Sequence, residues 1–520
     1  MSQTTKSTMP KRFYARTWFR LLIGAVLILV VAIGAYLLIP RSTPPLLTES
    51  ATAAPPQPKP LAGFVAERSG YYDTVWPSEH ADLWRSHAVL NAGLPANFDP
   101  ATLQVKTAPL NLPSWGYTRN ADEVFVIGGS PFVLNTFTQA IKTGQSASGL
   151  ASTLSDMFSS VVPYVAKVNP LTMATQSTPL TRGFTANYTG GLLIHQNGYV
   201  YAVSQAVLYK LNPTSMQIEA SIGLPLIGTN WATQYWTTYN GLQVLASGEL
   251  VIKGFDLIDS VNVPGWLLLV NPDTLKVDVQ QAMAVSSARL TIQQNADGTA
   301  YLYHVNALDS LRFKVSASGF QLDTAWTRSY RADKDGSTQA SSPMLFGALG
   351  QIVFANNTAP GATVPIKLYT QSTTGTVSGG LAAKAAFSKA LPGYNFFMVG
   401  GDPFQSQLVI YYDPLNNLLS AQKVGADGSL TPVWERSSYK VSASPALVPD
   451  RNLLYVDDYR DGRDWLIVLE LSTGRELAAL KLAAQLPTIG TIFPGMNNDV
   501  YLLSTEAGTA NGLISRIFVK

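Results

Sequence analysis

The side chains best suited to catalysis or metal binding are sparse in this sequence. It has no cysteine and four histidines; His80 and His87 are seven residues apart, while His195 and His304 lie in strand-like segments. A tetrahedral metal site needs three or four converging ligands, and no third ligand accompanies His80 and His87. We therefore expect ordinary hydrogen-bonded histidines. The lack of cysteine excludes disulfides, thiolate zinc sites, iron–sulfur clusters and cysteine nucleophiles.

Two aspartate-rich stretches superficially resemble calcium-binding loops. The first, ADKDGST, contains Asp333 and Asp335, and the second, DDYRDGRDW, contains Asp457 and Asp461. Neither has the ligand spacing of a calcium loop, and Tyr459 stands where the second stretch needs an oxygen ligand. Asp-Gly is itself the signal of a tight hairpin turn, so turns are the favoured interpretation.

A cluster of aromatic residues is the strongest candidate for a ligand-binding surface. It lies between Asn230 and Asn240 and comprises Trp231, Tyr235, Trp236 and Tyr239. Exposed aromatic rings suit sugars or peptides, whereas buried ones belong to the core, and packing in the interior is the favoured alternative. No Gly-x-Ser-x-Gly elbow, phosphate loop, Rossmann glycine pattern or metalloprotease helix occurs, so the usual signals of hydrolases and nucleotide-binding enzymes are lacking.

The charges of the chain are few and unevenly placed. Charged residues make up 13% of the sequence, and the formal net charge is +3. The first twenty residues hold five basic side chains and no acidic one, namely Lys6, Lys11, Arg12, Arg16 and Arg20. The other 500 residues carry 31 basic and 33 acidic side chains. A near-neutral body has no clustered cations for a phosphate backbone, so nucleic-acid binding is not expected.

An uncharged stretch from Leu21 to Ile39 predicts one membrane-spanning helix. Its nineteen residues would extend about 28 Å as a helix, close to the thickness of the hydrocarbon core. The basic residues before it predict a cytoplasmic tail at residues 1–20 and a periplasmic or extracellular body, as for an inner-membrane protein of bacteria. A signal peptide cleaved before Ala35 is the alternative, but the apolar run continues beyond that point. An uncleaved signal anchor is favoured.

The rest of the chain is organised as a proline-rich linker and a repeated β unit. Residues 40–63 contain closely spaced prolines and predict a semi-extended spacer. Beyond them, short apolar runs alternate with Asn-Gly and Asp-Gly pairs, which predicts antiparallel hairpins. A turn phrase of the type Asn/Asp-Pro-x-Thr/Ser recurs between strands as FDPATLQV at 98–105, VNPLTMAT at 168–175, LNPTSMQI at 211–218 and VNPDTLKV at 270–277.

Repeats of about 40 to 50 residues that cannot bury both faces alone predict a propeller or a solenoid. We count eight units between residues 115 and 520, with seven almost as well supported. The predicted fold is therefore an all-β, seven- or eight-bladed β-propeller over residues 64–520. A strand from the segment at about 88–112 is expected to pair into the last blade, since closure removes the exposed edges of the sheets.

The strand, Asn/Asp-Pro-x-Thr-Leu turn and strand pattern resembles the quinoprotein-like (PQQ-like) β-propeller superfamily of bacterial envelope proteins. The resemblance extends from about Ala88 to the C-terminus and implies the propeller fold. Quinoprotein dehydrogenases of this superfamily carry docking tryptophans at regular blade positions, an adjacent cysteine pair over the cofactor and acidic calcium ligands. This sequence has no cysteine pair, and its ten tryptophans follow no fixed spacing. The chain is similar to a non-catalytic or uncharacterised member.

Two functions from different classes follow from these features. The first is a membrane-anchored, extracytoplasmic binding or scaffolding module for an envelope protein or polysaccharide, with no cofactor expected. The alternative is a propeller enzyme, either a quinone- or metal-dependent oxidoreductase or a lactonase-like hydrolase. It would use the central funnel, with PQQ or calcium as cofactor and with Asp256 and Asp259 as acids that bind a cation. A structural envelope protein without a small ligand is a third class.

Overall fold

The computed structural model describes residues 47–48, 54–130, 161–180, 183–257, 262–284, 286–330, 339–357, 367–374, 382–385, 400–413, 417–484, 486–487, 490, 492–506 and 509–520. The chain divides into two compact units, Met1–Thr43 and Pro44–Lys520, and the described residues belong to the second. The predicted membrane segment, Leu21–Ile39, lies outside them. Within the described ranges, no helix is both long and apolar enough to span a bilayer.

The regular elements of the described residues are almost entirely strands. The short helices are α1 (Trp231–Gln234) and the 3-10 turns Pro100–Thr102, Gly347–Leu349 and Pro449–Arg451. The strands of the first half are β1 (Leu47–Thr48), β2 (Leu103–Asn111), β3 (Pro113–Asn120), β4 (Glu123–Gly128), β5 (Tyr164–Val168), β6 (Thr175–Pro179), β7 (Thr189–Ile194), β8 (Val200–Ser204), β9 (Val207–Leu211), β10 (Ile218–Gly223), β11 (Thr237–Val244), β12 (Leu250–Asp256), β13 (Gly265–Val270) and β14 (Val277–Met283).

The strands of the second half are β15 (Thr291–Gln294), β16 (Ala300–Val305), β17 (Asp309–Ser316), β18 (Gly319–Leu322), β19 (Arg328–Ser329), β20 (Gln339–Ala340), β21 (Met344–Phe346), β22 (Gln351–Asn357), β23 (Lys367–Ser372), β24 (Ala382–Ala385), β25 (Gly400–Asp402), β26 (Leu408–Asp413), β27 (Leu418–Val424), β28 (Leu430–Arg436), β29 (Ala446–Val448), β30 (Leu453–Arg460), β31 (Arg463–Glu470), β32 (Glu476–Lys481), β33 (Leu486–Pro487), β34 (Phe493–Pro494), β35 (Asp499–Thr505) and β36 (Asn511–Val519).

These strands form eight antiparallel sheets, which are the blades of a β-propeller. Blades 1 to 4 begin at β3, β7, β11 and β15, and blades 5 to 7 begin at β21, β25 and β29; in each, successive strands pair with their neighbours in order. The first strand of each blade lies innermost, since these strands contact one another from blade to blade, as β7 contacts both β3 and β11. Of the two predicted blade numbers, eight is confirmed.

Blade 8 is built from both ends of the described chain. Its sheet contains β34, β35 and β36, and β2 forms its outer strand. β2 pairs antiparallel with β36 along its whole length, from Leu103 opposite Val519 to Asn111 opposite Asn511. The pairing fills the outer position of the last sheet with a strand that precedes blade 1 in sequence. The segment predicted at about 88–112 includes this strand.

In blades 1 to 3 the recurring turn phrase connects the third strand to the fourth, whereas the copy at 98–105 forms the 3-10 turn that leads into β2. In blade 2, the Asn212 side-chain oxygen accepts hydrogen bonds from the backbone N–H groups of Thr214 and Ser215, at 3.0 and 3.4 Å. The Asn271 oxygen does the same in blade 3. An asparagine that bonds its own following backbone replaces strand pairing with a turn. In these three blades the phrase therefore marks the outermost hairpin.

One of the predicted hairpin signals has a different role. Asn240-Gly241 lies inside β11, where Gly241 has φ +66° and the register with β12 shifts between Asn240 and Gln243. The pair is a β-bulge rather than a hairpin, because positive φ serves both features equally well. By contrast, Asp461 and Gly462, with φ of 51° and 71°, form the tight turn between β30 and β31.

The described part of the predicted spacer packs on the propeller. β1 pairs with β10, the outer strand of blade 2. The backbone N–H of Lys59 donates to the carbonyl of Gln196 at 3.1 Å, and the Lys59 carbonyl accepts from the N–H of Asp73 at 2.8 Å. Pro56 is buried there. Proline has no backbone N–H to donate within a sheet, but its fixed φ favours an extended segment that packs on the surface of a blade.

Candidate functional site

The residues from Tyr71 to Gly93, here called the axial segment, lie inside the ring of blades. The N–H of Thr118 in blade 1 donates to the Trp76 carbonyl at 3.0 Å, and the N–H of Ile194 in blade 2 donates to the Pro77 carbonyl at 2.8 Å. Further backbone hydrogen bonds join the segment to blades 4 to 8, one bond to each blade. In blade order, the bonded pairs are Leu83 with Ile292, Trp84 with Leu345, Ser86 with Gly401, His87 with Leu447 and Gly93 with Gly495.

Blade 3 is joined to the axial segment by a side chain, because the Tyr71 hydroxyl donates to the Gln243 side-chain oxygen. From Trp76 to Gly93, the segment contacts the blades in their order around the ring. Nearly all of its residues are buried. A buried segment bonded to the innermost strands must lie on the propeller axis, so the chain itself occupies the central channel.

The axial segment follows this circuit with an unusual backbone. Four residues other than glycine have positive φ, with values of 73° at Ala81, 58° at Arg85, 60° at His87 and 57° at Asn91. Left-handed backbone at residues with side chains costs of order 1 kcal/mol or more each and persists only where surrounding contacts impose it. The bonds to successive blades impose it here, and they turn the side chains of Arg85 and His87 into the buried interior.

The Glu79 carboxylate is the centre of a buried polar cluster on the axis. Its Oε1 lies 2.5 Å from Arg289 Nε and 3.7 Å from His80 Nε2, and its Oε2 lies 4.0 Å from an Arg85 terminal nitrogen. Glu79, His80 and Arg85 belong to the axial segment, whereas Arg289 comes from the connection before β15. The segment and the blades thus build this site together.

An aromatic ring and a second cation complete the cluster. The Arg289 guanidinium lies 4.9 Å from the ring centre of Trp115 in blade 1, and the His80 ring packs edge-on against the same indole at 5.4 Å. Lys253, from β12, is fully buried and donates to the carbonyl of Ser286 at 2.5 Å. The described surroundings of Glu79 are therefore strongly cationic.

Burial changes the protonation of these groups. Removal from water, together with the neighbouring guanidinium groups, lowers the pKa of His80 well below its usual range, lowers the pKa of His87 to about 3 and lowers the pKa of Lys253 strongly. Burial also lowers the pKa of Arg85 to about 9, although Glu79 acts in the opposite direction. Both histidines are neutral at pH 7, whereas the two arginines keep their charge.

Several buried atoms of the cluster have no hydrogen-bond partner among the described residues. They include all three side-chain nitrogens of Arg85 and both ring nitrogens of His80. Arg289 Nε and Glu79 Oε1 are 2.5 Å apart and form an ion pair. The N–H of Arg289 Nε is not aligned with the carboxylate for a hydrogen bond. Buried polar groups are nearly always paired, and exceptions often mark sites that bind a further group.

The predicted aromatic cluster is divided by the structure. Trp231, Tyr235 and Trp236 lie half-buried in and just after α1, where the Asn230 side chain caps the helix. The Tyr235 ring meets Trp236 edge-to-face at 5.0 Å. Tyr239 is fully buried in β11, and its hydroxyl donates to the carbonyl of Pro225 at 2.6 Å. Tyr239 is a core residue, and ligand binding by the other three stays a prediction.

The structure describes one of the two predicted funnel acids. Asp256 ends β12, the second strand of blade 3, and is buried there. Asp259 lies outside the described residues. Asp457 instead accepts hydrogen bonds from the backbone N–H groups of Ser442 and Ala443 at 3.0 and 2.9 Å. The part of the chain that the structure describes contains no cluster of three or more His, Asp or Glu residues that could hold a metal.

The sequence analysis considered His80 and His87 but not the residues around them. Their rings do lie close, with centres 4.2 Å apart, although a looped segment rather than a helix carries them. Glu79 and Arg85 could have been found from local composition. The nine residues from Glu79 to His87 hold three charges and two histidines in a chain with only 13% charged residues. Arg289 and Lys253 carry no such signal, because only the blade arrangement places them on the axis.

Comparisons with solved structures agree with this architecture. The chain is similar to the quinohemoprotein alcohol dehydrogenase from Comamonas testosteroni, with a TM-score of 0.54 and 11% identity over 85% of this chain and 80% of that one. It is also similar to the quinohemoprotein alcohol dehydrogenase ADHIIG from Pseudomonas putida HK5, with a TM-score of 0.56 and 11% identity over 89% and 82%. These similarities agree with the eight sheets of this chain and show an eight-bladed β-propeller fold.

Sequence comparisons add no closer assignment. No protein-family model matches the chain, and no curated protein matches it in sequence. At 11% identity, the structural similarity establishes the fold alone, because one fold supports many functions. The function must therefore be argued from the residues of this chain.

The residues around Glu79 differ from the PQQ and calcium site that the family resemblance implies. PQQ needs a flat slot beside a tryptophan, but Arg289 lies over the Trp115 ring and His80 lies against it. The axial segment, bonded around the ring, occupies the space that a bulky cofactor would share. Its carboxylates also serve other partners, since Glu79 pairs with Arg289 and Asp82 accepts from Ser86. The described residues thus fit PQQ and calcium poorly.

Proposed function

We propose that this protein is a non-catalytic binding module, a β-propeller held at the bacterial inner membrane by the segment Leu21–Ile39 with its blades on the outer side. Its partner in this proposal is an envelope protein or polysaccharide. The observation that carries the proposal is the axial segment, since backbone bonds to seven blades hold it in the channel that a propeller enzyme would use for substrate and cofactor. Binding to a partner is then a property of the outer surface.

The junction between blades 8 and 1 is the part of that surface best suited to a partner. A cavity of about 330 Å³ lies there, lined by Pro109, Leu110, Asn111, Val162, Tyr164, Ser177 and Pro179. Its lining includes one large apolar side chain that is exposed, Val162, at 42%. Cavities of this size can hold part of a ligand, and exposed apolar groups favour association.

Site-specific photo-crosslinking in intact cells tests the proposal. A photoreactive amino acid at Val162 should produce one discrete species of higher mass, whereas the same group at Leu322, exposed at 39% on blade 4, should not. Protease treatment of the product distinguishes a protein partner from a polysaccharide. Equal labelling at both positions, or labelling at neither, would contradict binding at this junction.

The enzyme alternative makes a different prediction for the purified full-length chain. A quinone- or metal-dependent oxidoreductase should contain about one equivalent of PQQ or metal, and a lactonase-like hydrolase should turn over lactones. Elemental analysis would detect the metal and absorbance spectroscopy would detect PQQ. A dye-linked alcohol assay would detect turnover by an oxidoreductase. Stoichiometric cofactor together with turnover would replace the binding module by an enzyme.

A further inference from the structure

The charges on the axis do not balance among the described residues. The ion pair of Glu79 with Arg289 neutralises one guanidinium, and burial and nearby Arg289 strongly lower the pKa of Lys253. Arg85 stays charged, and its nearest Glu79 oxygen is 4.0 Å away, beyond hydrogen-bonding distance. A buried guanidinium without close partners is strongly unfavourable, so it calls for a counter-charge.

The other buried carboxyl of the axial segment does not supply that counter-charge. Asp82 accepts hydrogen bonds from the Ser86 backbone N–H at 3.1 Å and from the Ser86 hydroxyl at 2.5 Å. Burial raises the pKa of Asp82 to about 7, so near neutral pH it carries only part of a negative charge. Arg85 therefore keeps donors that no described side chain satisfies.

A glycine lies beside the cluster, where no side chain of its own adds to the crowding. Gly191, in β7, has φ +135°, and a Cβ atom built on it would meet only two atoms of the described residues within 4 Å. These are Glu79 Oε2 at 3.7 Å and the Tyr117 hydroxyl at 3.9 Å. Both are ordinary contact distances. The glycine thus adds no side chain next to Glu79, the residue that Arg85 and Arg289 face.

We propose that the axis of the propeller holds a small oxyanion, of the carboxylate or phosphate type, bound by Arg85 with His80 and Arg289 beside it. The planar guanidinium fork of Arg85 presents its donors in the geometry that carboxylate and phosphate oxygens accept. The neutral ring of His80 supplies one further N–H. The anion bridges the axial segment and the blades, and it stabilises the closed ring whether or not the outer surface binds a partner.

Thermal unfolding of the purified full-length chain in detergent tests this site. Sodium phosphate and sodium formate are titrated separately at an ionic strength held constant with sodium chloride. At least one of them should raise the melting temperature in a saturable way, by about 2 to 3 °C at a hundredfold excess over its dissociation constant. The phosphate and formate curves show which oxyanion geometry the site prefers.

Variants of Arg85 separate binding from folding. Arg85→Gln should abolish the saturable response without lowering the melting temperature in buffer free of both oxyanions, because it removes an uncompensated buried charge. Arg85→Lys keeps the charge but loses the fork, so its response should need a higher anion concentration. Arg475→Gln is the matched control; this exposed arginine contacts Glu470 at 3.4 Å, and its loss should leave the response unchanged.

The proposal is wrong if the wild-type chain shows no saturable response to either oxyanion and also releases no oxyanion on unfolding, or if Arg85→Gln retains the full response. Should Arg85→Gln fail to fold, the wild-type titration and the Arg85→Lys curve decide the matter. Ion chromatography of the wild-type protein unfolded in guanidine gives an independent measurement. About one equivalent of released oxyanion would support the site.

Discussion

Two stretches near the start of the described chain hold the ring together in different ways. β2 pairs with β36 over nine residues, so all of its strand pairing goes to one blade. The axial segment instead spreads its backbone bonds over seven blades and reaches blade 3 through Tyr71. β2 closes the ring at its outer edge, and the axial segment connects the blades at the centre. A repeat fold can thus be closed by strand pairing within one blade and by a central segment that lies outside the repeats and contacts many blades.

The comparison implies that the axial segment is the more sensitive of the two. Trp76 is fully buried where the segment meets blade 1. Trp76→Ala should lower the free energy of unfolding by about 4 kcal/mol, from lost burial and the cavity left behind. Urea unfolding followed by circular dichroism measures the effect. Trp231 is half-buried, and Trp231→Ala should lower the free energy of unfolding by only about 1 kcal/mol. If both substitutions lower it equally, the axial segment is no more sensitive than α1.

The edge closure by β2 is tested with two neighbouring residues of the same strand. Ala108 is buried, whereas Thr107 points to the exposed side. Ala108→Asp buries a carboxylate without a partner and should cost about 3 kcal/mol, whereas Thr107→Asp should change stability by less than about 0.5 kcal/mol. Thermal unfolding of both variants gives the comparison. If Ala108→Asp is as stable as Thr107→Asp, β2 contributes little to closure.

A smaller effect distinguishes the polar axis from the apolar blades through pH. Burial raises the pKa of Asp82 to about 7, with Glu67 acting in the same direction and the Ser86 hydrogen bonds and Arg68 opposing it. Between about pH 4 and 7 the folded protein holds a proton that the unfolded chain releases. The stability contributed by Asp82 is therefore present at low pH and is lost as the pH rises through 7.

The variant Asp82→Asn isolates this contribution. Urea unfolding of both proteins at a series of pH values gives the difference in free energy, which should fall by on the order of 1 kcal/mol per pH unit between pH 4 and 7. The difference between the two proteins is used because His80 and His87 also change stability with pH. Both are buried and neutral, so they lower the free energy of unfolding as the pH falls below their pKa in the unfolded chain. A difference that does not vary with pH would show that Asp82 is not protonated in the folded state.

The blades were predictable because their determinants are local. A turn asparagine such as Asn212 or Asn271 bonds the backbone two and three residues ahead, whatever the rest of the chain does. Local signals also misled at Asn240-Gly241, since a pair that tolerates positive φ serves a bulge as well as a hairpin. The candidate site was largely missed, because Arg289 and Lys253 meet Glu79 only after separate blades have assembled.

By itself, the sequence determined an all-β repeat, about eight units and the turns that connect their strands, because alternating apolar residues and turn side chains act over a few residues. Only the tertiary structure decided that the Tyr71–Gly93 stretch lies on the axis and that Glu79, Arg85 and Arg289 meet there. Its backbone bonds go to residues from about 40 to 400 positions away. Such contacts follow from ring closure, which no short stretch of sequence encodes.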